Sequence, residues 1–208
     1  MKKIILITIL GFSNSSFAEI FGGIDFPDGI ISFADSVITY DPNFGIGPAP
    51  TDPNFIDPSA ALGPPDYSSP SGSVSLGRGG LLILKFVDNK LTGSNDNQAD
   101  LHIFEIGPDV EDTFVAISKN GTDWTEIGKV FGSTSSIDID QFGFDSSDSF
   151  SYVRLIDDTN EGGASGTTVG ADIDAVGAIS TVATPVPVPA PFILTLFGLG
   201  FIRTFVRA

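Results

Sequence analysis

From Gly72 onward, apolar and polar positions trade places in short bursts that end at Gly, Asn or Asp. Leu82, Leu84 and Phe86 alternate with Ile83, Lys85 and Val87, a period of two that lays one set on each face of a strand. The run is apolar enough to sit centrally in a sheet. Leu101–Ile106, Thr113–Ser118 and Trp124–Val130 follow at the spacing of an antiparallel sheet. Asn120-Gly121 supplies a hairpin turn between the last two, since both residues tolerate the positive φ that tight hairpins require. Ile137–Ile139, Phe150–Ile156 and Ile173–Ile179 complete a set of roughly eight short strands, and no stretch carries a convincing amphipathic helical period. The pattern predicts an all-β fold, an antiparallel β-sandwich of the jelly-roll kind.

The preceding segment reads differently. Between Phe21 and Asp66 stand Asp-Pro steps at 41, 52 and 57, Gly-Pro at 47 and Pro64-Pro65, all turn chemistry. Only Ile30–Tyr40 looks regular there; its apolar Ile31, Phe33, Val37 and Ile38, with Ser and Asp between them, favour a strand with an irregularity. Residues 19–72 are therefore expected to be a loop-rich part, wrapping the rest of one domain that spans 19–184.

Both ends carry export chemistry. Lys2 and Lys3, the apolar run Ile4–Leu10 and the small residues of Ser16-Phe17-Ala18 have the order of a secretory signal, with cleavage by signal peptidase expected after Ala18. At the other end Thr184-Pro185-Val186-Pro187-Val188-Pro189-Ala190-Pro191 precedes the apolar run Phe192–Ile202, then Arg203 and Arg207. This arrangement resembles the sorting tail of PEP-CTERM proteins, in which a Pro-x-Pro signature, a short apolar helix and basic terminal residues stand in that order. Here Pro187, Pro189 and Pro191 with Arg203 and Arg207 carry the likeness, while Val188 replaces the usual glutamate and two arginines replace a tight basic cluster. The resemblance implies handling by an exosortase-like processing enzyme in a Gram-negative bacterium that makes exopolysaccharide. A helix over 192–202 would rise only about 16 Å, short of the roughly 30 Å hydrocarbon core, which suits transient inner-membrane insertion better than permanent anchoring.

Charge narrows the partners. Every acidic residue lies between the signal and the tail, where 26 Asp and Glu meet six basic side chains, Arg78, Lys85, Lys90, Lys119, Lys129 and Arg154, for a net formal charge of −20. Such a surface repels phosphate backbones and excludes nucleic acid as a partner. There is no cysteine, so neither disulfides nor thiolate metal sites are available.

Two stretches resemble the galactose-binding-like jelly rolls, discoidin-type domains included. They are Phe114-Val115-Ala116-Ile117-Ser118-Lys119-Asn120-Gly121 leading to Trp124, and Tyr152-Val153-Arg154-Leu155. In that group a strand enters a Ser-x-Asn/Asp-Gly hairpin, a tryptophan packs on the returning strand, and a later Tyr-Val-Arg strand lies in the core sheet. Trp124 is thus either a hairpin anchor or a platform for a sugar ring. Arg154, inside an apolar strand, is expected to find a carboxylate or to reach outward to solvent.

For chemistry there is little. His102 is the one histidine, set in a strand as a sheet-surface residue, and neither a Gly-x-Ser-x-Gly elbow nor a phosphate loop is present. Calcium is the better chemical candidate, because hard cations take clustered carboxylate and carbonyl oxygens. Candidate oxygens are those of Asp88 with Asn89, Asp96 with Asp100, Asp157 with Asp158, and Asp172 with Asp174, the last two spaced to share one strand face. Solvated acidic faces and Asx-turns account for the same residues without a metal. The expected function is that of a non-enzymatic surface or extracellular-matrix protein binding exopolysaccharide or another carbohydrate. Two alternatives stay open: a secreted hydrolase using paired carboxylates, and a purely structural surface protein.

Overall fold

A computed structural model describes residues 17–107, 110–132, 135–161 and 165–184. The signal up to Ser16 and the whole tail 185–208 lie outside the described residues. Thirteen strands occur among the described residues, joined by turns and three short 3₁₀ segments. They are β1 (Glu19–Phe21), β2 (Ile24–Phe26), β3 (Ser36–Asp41), β4 (Val74–Ser75), β5 (Leu81–Lys85), β6 (Asn89–Leu91) and β7 (Leu101–Glu105), followed by β8 (Val110–Ser118), β9 (Thr125–Gly132), β10 (Ser136–Ile137), β11 (Tyr152–Asp157), β12 (Asp172–Ala178) and β13 (Thr181–Ala183). No helix among these residues is long and apolar enough to cross a membrane.

Two antiparallel sheets form the body, a five-stranded one in the order β3-β5-β11-β8-β9 and a four-stranded one in the order β10-β7-β12-β4. The period of two decides which residues meet between them. In β11 Val153 and Leu155 are buried while Tyr152, Arg154 and Ile156 are half-buried, and the register carries the same division to Leu82 and Leu84 on β5 and to Val115 and Ile117 on β8. Leu101 and Ile103 on β7 and Val176 and Ala178 on β12 close this core from the other sheet. The fold is thus all-β and sandwich-like, built from antiparallel sheets as the alternation predicts.

The irregularity expected in Ile30–Tyr40 is a change of sheet. Gly29–Ser32 form a 3₁₀ turn, Phe33 bridges Gly177 and the Ala34 amide donates to Val176 O, all on the four-stranded side. One residue later the Asp35 amide donates to Lys85 O on the five-stranded side, and β3 begins. A bulge between Val37 and Thr39 then adjusts β3 to β5.

The expectation of loop alone before residue 30 needs correction. Glu19–Phe26 is a hairpin whose turn residues Gly22 and Gly23 both take positive φ, 55° and 86°. It covers the outer face of the four-stranded sheet, where Phe26 and Phe33 are buried with Ala175 and packed by Phe21, Ile24, Phe104 and Ile179. The hairpin between β8 and β9 is also longer than Asn120-Gly121 suggests. Only Gly121 has positive φ; Asn120 shapes the turn through its side chain, Oδ1 accepting from the amides of Thr122 and Asp123, both at 2.9 Å.

Candidate functional site

Two places gather the residues with chemistry. The first lies at the end of the four-stranded sheet. β7 and β10 pair with Ile137 opposite Leu101, so the residues just beyond the ladder, Asp100 and Asp138, come together. Asp138 caps the 3₁₀ turn Ile139–Phe142, its Oδ1 accepting from the Asp140 amide at 3.0 Å, and the turn brings Asp140 to the same spot. Asp100, Asp138 and Asp140 each place a carboxylate oxygen within 4.8 Å of the other two. Asp100 is fully buried and held on all sides by backbone: its amide donates to Ile137 O, its carbonyl accepts from Ile179 N, and its Oδ2 accepts from Ile139 N at 2.9 Å.

Asp140 Oδ2 accepts from the Asp96 amide at 2.9 Å and from Ser94 Oγ at 3.3 Å. The remaining oxygens, Asp100 Oδ1 and Asp140 Oδ1, are buried and have no hydrogen-bond partner. Burial pushes the Asp100 carboxyl above its ordinary range; the Ser180 hydroxyl, the Ile139 amide and the Ser94 hydroxyl oppose this, and the charge on Asp140 adds to it.

The second place is the outer face of the five-stranded sheet. Tyr152, Arg154 and Ile156 project there from β11 at two-residue steps, flanked through the register by Lys85 and Ile83 on β5 and by Ala116 and Phe114 on β8. Ala116 is small enough for Arg154 to reach across it to Glu126 on β9, with which it forms an ion pair, and the guanidinium lies 4.9 Å from the Trp124 ring centre. Lys85 Nζ stands 5.4 Å from the Tyr152 ring centre and Lys129 Nζ 5.1 Å from that of Phe114. Lys129 is also paired with Asp112 and, at 2.6 Å, with Asp158. A shallow depression of about 400 Å³ lined by Phe114, Glu126, Gly128, Lys129 and Ile156 opens beside these groups. Trp124 is half-buried and Phe114 is 43% exposed, so aromatic surface reaches solvent here.

Of the seven acids singled out by sequence, only Asp100 joins a carboxylate cluster among the described residues, Asp96 reaching it by its backbone amide alone. Asp157 accepts from the amides of Gly79 and Ala171 at 2.8 and 2.9 Å, so backbone satisfies it. Asp158 pairs with Lys129, whose contact holds its carboxyl below the usual range. Asp88 lies beside Asp35, and burial first and that neighbour's charge second raise it. The expectation that Asp172 and Asp174 share a face gives way to a bulge between Ile173 and Ala175, which breaks the alternation. Asp172 bonds Ser75 Oγ, whereas Asp174 accepts from the amides of Asp66 and Tyr67 at 3.0 and 3.1 Å. Sequence patterning leaves out Asp138 and Asp140; the signal that could have found them is Asp-x-Asp directly after a short strand. His102 Nδ1 lies 2.6 Å from Ser136 Oγ, and burial lowers the imidazole to about 4, so the ring is neutral at physiological pH.

No family model matches the chain, and no curated protein matches it. Among solved structures it is similar to the C-terminal domain of a chitobiase from Bacteroides fragilis, at 16% identity and a TM-score of 0.33, over 50% of this chain. The chain spans 64% of that neighbour's length.

Proposed function

We propose that the chain is an exported, non-enzymatic surface protein whose sandwich, of the galactose-binding-like jelly-roll type, holds exopolysaccharide against the outer face of the five-stranded sheet. The observation that carries this reading is the run of three aromatic–cation pairs on that face, Lys85–Tyr152, Arg154–Trp124 and Lys129–Phe114. Three of the six basic side chains in residues 19–184 stand on this one face of a strongly acidic chain. Sugar rings present apolar C–H faces that lie on aromatic rings and hydroxyl rims that meet charged groups, which is the chemistry arranged here.

The terminal sequences support the delivery route. Signal peptidase would remove residues 1–18, the Pro187, Pro189, Pro191, Arg203 and Arg207 pattern would direct the tail to an exosortase-like enzyme, and the domain would reach the surface or matrix of a Gram-negative cell. A glycan-binding screen of the full chain, compared with W124A and Y152A, tests the binding role. At least one polysaccharide is expected to bind the parent chain, with binding weakened about tenfold or more by either substitution, equivalent to the loss of one aromatic stacking contact of about 1–2 kcal/mol. Binding to no glycan would leave the structural surface protein as the answer.

A further inference from the structure

We propose that Asp100, Asp138 and Asp140 form a binding site for a hard divalent cation of the calcium class, which ties the segment between β6 and β7 to the 3₁₀ turn after β10. The site is separate from the aromatic face and does not depend on the glycan reading.

Geometry carries the case. A calcium ion takes oxygen ligands at about 2.3–2.6 Å, so any two of its ligands lie within about 5 Å of each other. The three carboxylates meet that limit, each offering an oxygen within 4.8 Å of the others. They come from two parts of the chain, Asp100 before β7 and the Asp138–Asp140 turn after β10, brought together by the β7–β10 register and the Asp138 cap.

The independent observation is the state of the oxygens. Asp100 is fully buried, and its Oδ1 has no partner in hydrogen-bond geometry, the hydroxyls of Ser180 and Ser94 being the donors nearest the carboxyl. Asp140 Oδ1 is buried without a donor as well. No Lys or Arg among the described residues makes an ion pair with any of the three acids. Leaving a buried carboxylate oxygen without a partner beside two further carboxylates is costly, and a cation among them removes that cost at once.

Gly93 fits the same picture, because a Cβ there would fall 2.1 Å from Asp140 Oδ1 and 2.9 Å from the Asp145 backbone. Its bare backbone leaves room for Asp140 Oδ1 beside it. Ser94, whose hydroxyl already bonds Asp140 and Asp96, stands next to it as a further oxygen donor.

The test uses the full chain, solubilised in mild detergent, stripped with a chelator and titrated with calcium chloride by calorimetry and by thermal unfolding. The parent chain is expected to bind one equivalent and to unfold at higher temperature with calcium. D140N is expected to bind at least tenfold more weakly, and the D138N/D140N pair to give no response. D25N, which changes an exposed acid on β2, is expected to behave as the parent. Asparagine keeps the amide contacts of both side chains, so without calcium these variants are expected to be as stable as the stripped parent or more so, because repulsion is relieved. Absence of any calcium response in the parent would overturn the proposal, as would a D140N chain that binds calcium like the parent.

Discussion

Glu105 closes β7 opposite Ile173, and its carboxyl is half-buried with Oε2 lacking a partner. Burial raises it to about 8 from an ordinary value of 4.5, and the neighbouring charges of Glu111 and Asp172 add to the rise. Between those two pH values the folded chain holds a proton that the unfolded chain has released, so stability must fall as pH rises through that window. The contribution is fully present below the lower value and lost above the upper one. E105Q, which mimics the protonated acid, is therefore expected to unfold in urea with a flatter dependence between pH 5 and 8 and to exceed the parent in stability above pH 8. Equal slopes for the two proteins would show that Glu105 is ionised in the fold. Nothing in the sequence marks this residue, because its shift comes first from burial in the folded sheet, and one of the two charges that add to it, Asp172, is delivered by the β7–β12 pairing from far along the chain.

At the scale of the elements, the N-terminal hairpin depends on one glycine in the opposite strand. Gly177 of β12 lies under the Phe26 ring, and a Cβ there would fall 2.5 Å from that ring and 3.0 Å from Phe33. G177A is expected to lose about 1–3 kcal/mol in urea unfolding, the usual cost of overpacking, with the loss reduced in a G177A/F26L pair that makes room. Independent effects of the two changes would place the hairpin elsewhere. Period-two alternation made β5, β7 and β11 legible, since each buries one set of alternate residues more deeply than the other. β12 is buried on both faces beyond its first residue and shows instead as a short apolar run. Neither signal could reveal β1, β2, β4, β6 and β13, which are only two or three residues long, and β4, β6 and β13 also owe their pairing to partners distant in sequence. Gly22-Gly23 was a usable hairpin signal even so. The carboxylate cluster was half legible for the same reason: Asp100 stands at the start of a clear strand, while Asp138 and Asp140 follow the two-residue β10, whose register decides that they meet it.

Across the whole molecule, acidic charge is abundant and local neutralisation sparse. Formal charge is −16 for the full chain, yet the ion pairs of the described residues draw on Lys119, Lys129 and Arg154 alone. Mutual repulsion among the remaining carboxylates disfavours the compact state, and salt weakens it by shortening the screening length from about 30 Å at 0.01 M to about 8 Å at 0.15 M. The same screening weakens the Lys129 and Arg154 pairs, but the ion pairs of the described residues draw on three cations against 26 acids, so repulsion is the larger quantity. The melting temperature of the stripped chain is therefore expected to rise with sodium chloride over this range, and by the same amount in D138N/D140N. Calcium chloride at about 1 mM adds only about 3 mM of ionic strength, too little to change screening materially. A calcium effect at that concentration then reports a specific site, whereas a sodium chloride effect shared by parent and variant reports the field of the whole surface. A melting temperature that falls as sodium chloride is added would mean that the few ion pairs outweigh the surplus of acids.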